Sequence, residues 1–244
     1  MSEPKVTAFA CNWCSYAGAD LAGVSRMQYP PNIRIIRVMC SGRVEPHFIT
    51  DALMSGADGV LVLGCHPGDC HYMGGNIEAK RRLELLQELF RKFSLDDRRV
   101  RIEWVSASEG DKLARTVKEF VETLRNASPM DADAFERLDS IGRALKASRL
   151  RIVLGSTKRA FESGGIEEER YKKEMLAISS EEVLRQNILK ILESKGPLSA
   201  RKIAEAVGIT PKDSFRQMLA MKRRGMIEES GIESHAPVYG VPKR

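Results

Sequence analysis

The stretch GVLVLGCHPGDC, residues 59–70, decides the architecture. Gly59–Gly64 form a nearly continuous apolar run that ends on Cys65 and a Pro67-Gly68 turn. A strand without polar alternation is covered on both faces, as in a parallel sheet flanked by helices. VTAFA (6–10) reads the same way, and IRIIRVM (33–39) and VRIEWVSA (100–107) supply two further strands. Helical segments separate them. One spans roughly 45–56, with Pro46 near its start and Gly56 near its end. A second covers 76–93, with Leu83, Leu86, Phe90 and Phe93 at helical spacing. A third covers 108–124, with Ser108 placed to cap it and Asp111 in the capping-box position. This alternation predicts an α/β fold, a doubly wound parallel (flavodoxin- or Rossmann-like) sheet of about four strands.

Working outward from Cys65, all five cysteines fall in the first 70 residues. Cys11 follows the first strand, Cys40 ends the second and Cys65 ends the third; Cys14 and Cys70 lie three and five residues beyond the first and last of these. Parallel strands align their carboxyl ends along one edge, where open α/β sheets bind ligands. That edge gathers five sulfurs, a soft donor set suited to a thiolate-bound metal. The C-x2-C of Cys11 and Cys14 serves zinc sites, clusters and dithiols alike. The C-x4-C of Cys65 and Cys70 occurs in plant-type [2Fe–2S] proteins. Zinc accepts four thiolates as well, so residue chemistry alone leaves zinc and iron–sulfur both open. His66 and His71 flank the same loop and read as surface or capping residues ahead of ligands, and Trp13 as a packing residue. Gly74-Gly75 before a helix is a weak phosphate signal.

The bulk numbers fit this picture. The chain has 244 residues, 43% apolar and 6% aromatic, enough for one large or two small domains with an aliphatic core. It contains no apolar run of about 18 residues, so no membrane insertion is expected. The N-terminus shows no secretory pattern, which makes the cytoplasm the expected compartment. There, clustered cysteines bind metal or do redox chemistry more often than they form disulfides. P-loop, GxGxxG, GxSxG and HExxH motifs are absent, as is any acid–base pair. A catalytic role is therefore not indicated.

Three regions follow along the chain: 1–127, the α/β domain; 128–180, a mostly helical connector; and 181–244, a small α+β unit. The net charge of +6 divides as +1, +1 and +4 among them. The connector holds an amphipathic helix over 131–148, LRIVLGS (150–156) as a short strand or helix end, and a turn at Ser163-Gly164-Gly165. The last region reads as helices over 181–196, 197–209 and 210–225, the second opened by Ser199 and the third by Thr210-Pro211. A two-stranded ribbon over 226–242 completes a winged helix-turn-helix-like pattern.

CNWCSYAGADLAG (11–23), RMQYPPNIRIIRVMCSGRVEP (26–46), GADGVLVLGCHPGDCHYMGGNIEAKRR (56–82) and RIEWVSASEGDK (101–112) closely resemble the delta subunit family of methyl-viologen-reducing (F420-non-reducing) hydrogenase. The resemblance covers about residues 5–127. It implies an electron-transfer subunit with one [2Fe–2S] cluster. Such a subunit links a hydrogenase, formate dehydrogenase or other donor to a heterodisulfide reductase A-like flavoprotein, in flavin-based electron bifurcation and anaerobic metabolism. The family's cysteine pattern maps onto Cys11, Cys14, Cys40, Cys65 and Cys70; a cluster takes four ligands, so one of the five stands outside the set. Compact members end near residue 130–140 of this chain, which leaves the C-terminal half outside the resemblance. A second reading is a redox-sensing DNA-binding regulator, with Arg216, Lys222, Arg223 and Arg224 on nucleic acid. The apolar Met218, Leu219 and Met221 and the modest +4 on 181–244 weigh against nucleic acid as a partner. A third reading is a zinc-stabilised scaffold.

Overall fold

β1 (Val6–Cys11), β2 (Ile33–Val38), β3 (Gly59–Gly64) and β4 (Val100–Trp104) pair in parallel in the order β2-β1-β3-β4. Phe9 of β1 lies opposite Ile36 of β2 and Val62 of β3, and Val62 opposite Ile102 of β4. The structure, a computed structural model, describes residues 3–157, 161, 164–233 and 235–242. β3 is buried at every residue, as its unbroken apolar run requires, while the edge strand β2 is largely open to solvent. On one face, Ala8, Ala10, Leu61 and Leu63 pack with Leu113, Val117, Phe120 and Val121. On the other, the Phe9 ring lies 6.4 Å from that of Phe48.

The helices are α1 (Ser15–Val24), α2 (Pro46–Met54), α3 (Gly75–Lys92), α4 (Gly110–Arg125), α5 (Ala132–Lys146), α6 (Ser148–Gly155), α7 (Glu168–Lys195), α8 (Ala200–Val207) and α9 (Pro211–Arg223). α1 is a helix that the sequence pattern does not announce, because Gly18 and Gly23 interrupt a run of small residues. Gly18 is there for close packing: a Cβ on it would lie 2.8 Å from the backbone oxygen of Ser106. Gly110 answers from α4, where a Cβ would sit 2.9 Å from the amide nitrogen of Ala22.

Several expectations shift at the ends of elements. The fourth strand stops at Trp104, not at residue 107. The third helix opens at Gly110, with Glu109 in the capping position. Ser108 does not cap it, since its hydroxyl pairs with that of Ser106 at 3.2 Å. LRIVLGS resolves into helix α6. Ser163 of the expected turn lies outside the described residues; Gly165 beside it has φ +56°. α7 begins at Glu168 rather than 181, because no Gly or Pro interrupts the sequence from there to Lys195.

The chain divides into two compact units, Met1–Leu176 and Ala177–Arg244. In the first, Lys146 pairs with Asp51 at 2.7 Å and Arg151 with Glu45 at 3.0 Å. In the second, Ile188, Leu192, Ile203, Met218, Met221, Ile227 and Tyr239 form a core of their own. Ser199 and Thr210 cap α8 and α9 through their side chains. The ribbon is a three-stranded antiparallel sheet: β5 (Leu198–Ser199) pairs with β7 (Ala236–Gly240), which pairs with β6 (Glu228–Glu233). The two-residue β5 is too short to show in sequence.

Candidate metal centre

The chain leaves β1 for β2 on one side, and β3 pairs with the other side of β1. The carboxyl ends of β1 and β3 therefore flank a topological switch point, where loops diverge and open a crevice. Cys11 is the last residue of β1 and Cys65 immediately follows β3, so the two face each other across this crevice. Their sulfurs lie 3.8 Å apart. That matches the edge of a metal tetrahedron with metal–sulfur bonds of about 2.3 Å, which is about 3.8 Å. The sulfurs of Cys11, Cys14 and Cys65 all lie within 4.8 Å of one another, and all three residues are buried.

Backbone anchoring holds this trio. The Ser15 hydroxyl donates to the Leu63 carbonyl at 2.8 Å and accepts from the Cys11 N–H at 2.9 Å. It thereby ties the C-x2-C turn to the end of β3. Asn76, itself buried, donates from Nδ2 to the carbonyls of Cys65 (3.0 Å) and His66 (2.9 Å). Neither role is visible in sequence, beyond Ser15 adjoining Cys14 and Asn76 adjoining Gly74-Gly75.

Cys40 and Cys70 lie outside the tight trio but border it. Cys40 lies two residues beyond the end of β2 and accepts from the Gly42 N–H at 3.4 Å. Burial pushes its thiol up to about 11, and the neighbouring sulfurs of Cys70 and Cys11 add to the rise. Cys70 follows the opposite trend. Burial alone raises it, but the N–H groups of Asn76, Tyr72, Gly74 and Gly75 around the start of α3 bring it below an ordinary thiol. A helix N-terminus favours a thiolate in this way. Within the trio, the Cys14 hydrogen bond lowers Cys11 to about 5, while the same bond and burial raise Cys14. Burial raises Cys65. None of the five forms a disulfide.

The surroundings suit a thiolate-bound metal. A Cβ on Gly75 would collide with the Cys40 sulfur, and one on Gly42 would lie 2.7 Å from the Gly75 backbone. These two glycines let α3 close directly onto the sulfurs. The donor set is all sulfur, which suits zinc or iron–sulfur and not a hard cation. The flanking histidines are engaged elsewhere. His66 pairs through Nε2 with Glu109 at 2.6 Å. The Ser106 N–H and then His66 hold the Glu109 carboxyl down at about 2. His71 stacks on Trp13 with ring centroids 3.9 Å apart. Trp13 thus packs at the surface: it is 46% exposed and donates from Nε1 to the Tyr72 hydroxyl at 3.3 Å. Met73, beside Tyr72, is 91% exposed.

No helix among the described residues is long and apolar enough to cross a membrane.

The comparisons with known proteins converge on this half of the chain. The profile of the FlpD family, methyl-viologen-reducing hydrogenase delta subunit, matches residues 6–127. The iron-sulfur subunit of the vhc F420-non-reducing hydrogenase of Methanococcus voltae is 53% identical over 127 residues, covering 52% of this chain and 88% of the relative. The iron-sulfur subunit of the F420-non-reducing hydrogenase of Archaeoglobus profundus is 52% identical over 135 residues, covering 55% of this chain and 96% of the relative. The A component of the ferredoxin/F420H2-dependent CoB-CoM heterodisulfide reductase of Methanosarcina acetivorans is 51% identical over 130 residues; the match covers 53% of this chain and only 16% of that component's length. The cysteine-bearing α/β half and the family match coincide, and the chain belongs to the family of methyl-viologen-reducing hydrogenase delta subunits.

Proposed function

We propose that this chain is an electron-transfer subunit that holds one [2Fe–2S] cluster through four of Cys11, Cys14, Cys40, Cys65 and Cys70. The observation that carries this reading is the gathering of Cys11, Cys14 and Cys65 within 4.8 Å at the switch point of the sheet. The relatives named iron-sulfur subunits favour iron–sulfur over zinc. When bound, such a cluster supplies a one-electron carrier.

The chain's own residues bind, shield and present that centre. Ser15 and Asn76 fix the backbone on either side of the crevice. The thiols of Cys11, Cys14, Cys40 and Cys65 are buried, which excludes water from the donor atoms. N–H groups at the start of α3 stabilise negative charge on Cys70. Trp13, Tyr72 and Met73 form an exposed aromatic and apolar border beside the sulfurs, where a redox partner would approach.

The names of its relatives support a heterodisulfide reductase A-like protein on one side and a hydrogenase on the other as partners. The family resemblance extends this reading to a flavin in the former, to a formate dehydrogenase or other oxidoreductase as an alternative donor, and to an electron-bifurcating complex, with the cytoplasm as the expected compartment. The test is anaerobic mixing of the reduced chain with a heterodisulfide reductase A-like flavoprotein from the same source. Bleaching of the flavin absorbance, slowed by Trp13→Ala with the visible spectrum of the chain unchanged, supports the reading. Absence of both flavin reduction and a stable complex would overturn it.

A further inference from the structure

The second unit carries a surface that the cluster does not explain. Ser214, Gln217, Met218 and Met221 turn the inner side of α9 into the core of that unit. The outer side presents Lys212, Phe215, Arg216, Leu219, Lys222 and Arg223, which recur at helical spacing. Phe215 is 49% exposed and Leu219, one turn on, is 38% exposed. Two large apolar side chains one turn apart, bracketed by four cations, thus form a mixed apolar and basic patch on one face of the helix.

We propose that this face docks an acidic segment of another protein, one that seats apolar side chains on Phe215 and Leu219 while its carboxylates meet the surrounding cations. Charge complementarity carries the choice of occupant. Asp213 is the single acid within α9, and Arg216 already pairs with it at 3.4 Å. Lys222 pairs with Glu229 at 2.7 Å. Lys212, Arg223 and Arg224 make no ion pair among the described residues, so their charge faces outward. Arginine suits this task because its planar fork grips a carboxylate bidentately. The face is also rigid before binding: Thr210 caps α9, and Met218 and Met221 are fully buried beneath it. Little ordering cost is then added on association.

Duplex DNA is the competing occupant, since α9 follows α8 as a recognition helix follows its partner in a helix-turn-helix. One observation counts against it. Phe215 and Leu219 occupy the middle of the helix, where base readout needs polar side chains. A second copy of the chain would set this basic face against its own like charge.

The inference stands independently of the cluster. The test uses the full chain and fluorescence anisotropy with three labelled probes: a helical Leu/Glu peptide, the same peptide with Lys for Glu, and a random-sequence duplex. The expected result is saturable binding of the Leu/Glu peptide alone. Phe215→Ala with Leu219→Ala, and separately Arg216→Glu with Arg223→Glu, each weaken it about ten-fold or more. Both double variants leave the iron content of the protein unchanged. Circular dichroism checks the fold, and Arg223→Glu alone, at the exposed helix end, serves if a double variant misfolds. Preferential, steeply salt-dependent duplex binding would overturn the proposal. So would self-association abolished by Phe215→Ala with Leu219→Ala, or failure of the Leu/Glu peptide to bind saturably.

Discussion

In the unit Met1–Leu176, the thiols of Cys11, Cys14 and Cys65 lie under backbone and are each less than a tenth exposed, whereas in Ala177–Arg244 the side chains that stand out, Phe215, Arg216 and Leu219, face solvent. The two regions differ in what they ask of the surrounding sequence. A buried donor set needs glycines where chains cross and hydrogen bonds to orient each carbonyl: Gly42, Gly75, Ser15 and Asn76 serve it. An exposed docking face needs only a well-capped helix on a small core. Sensitivity to substitution should follow the same division.

The largest effect is expected at the sulfurs. Cys11→Ser, Cys14→Ser or Cys65→Ser should strip nearly all iron from anaerobically purified protein, read by iron and sulfide assay. Four ligands suffice for one cluster, so at most one of the five cysteines should be dispensable. Two or more single variants with full iron content would break the assignment.

Next comes the contrast between two leucines. Leu63 is fully buried in β3 and Leu219 lies on the open face of α9. Leu63→Ala should cost about 2–5 kcal/mol in denaturant unfolding, and Leu219→Ala no more than about 0.5 kcal/mol. Equal losses would show that the α9 face is packed.

A sharper form of the same contrast lies within α1. Gly18→Ala should destabilise by about 1–3 kcal/mol, because its Cβ meets the Ser106 carbonyl. Gly23→Ala, with nothing within 4 Å, should instead stabilise by up to about 1 kcal/mol through helix propensity.

The last contrast concerns pH. The Arg98 guanidinium, with the N–H groups of Ser128 and Arg98, holds the Asp96 carboxyl at about 2 in the folded chain, against about 3.9 when unfolded. A lowered folded value makes this contribution complete above pH 4–5 and lost as pH falls through about 2. Asp96→Asn should therefore remove about 1–2 kcal/mol at neutral pH and flatten the acid limb of the stability curve.

Much of this was legible in sequence where a residue's role is set by its neighbours in the chain. Gly59–Gly64 forms the strand its apolar run announces, and three strand ends carry cysteines to one edge. The caps at Ser199 and Thr210 were equally local signals. What escaped depends on contacts between distant segments. α1 has no helical signal in the sequence because Gly18 answers to Ser106 and to α4, far along the chain. Asn76 reaches carbonyls ten and eleven residues back, and Ser15 a carbonyl 48 residues ahead. Ser108 misled because Glu109 takes the capping position and ties the turn to His66. Trp13 packs as read, but its partner, His71, belongs to another strand's loop and was not visible from the chain.

The most direct test of the central claim is the metal itself. The chain would be purified anaerobically, assayed for iron, zinc and sulfide, and examined by visible absorbance and by EPR after dithionite reduction. A brown protein with about two irons and two sulfides per chain, giving an S = 1/2 signal on reduction, is the predicted result. A colourless protein with one tightly bound zinc would contradict it.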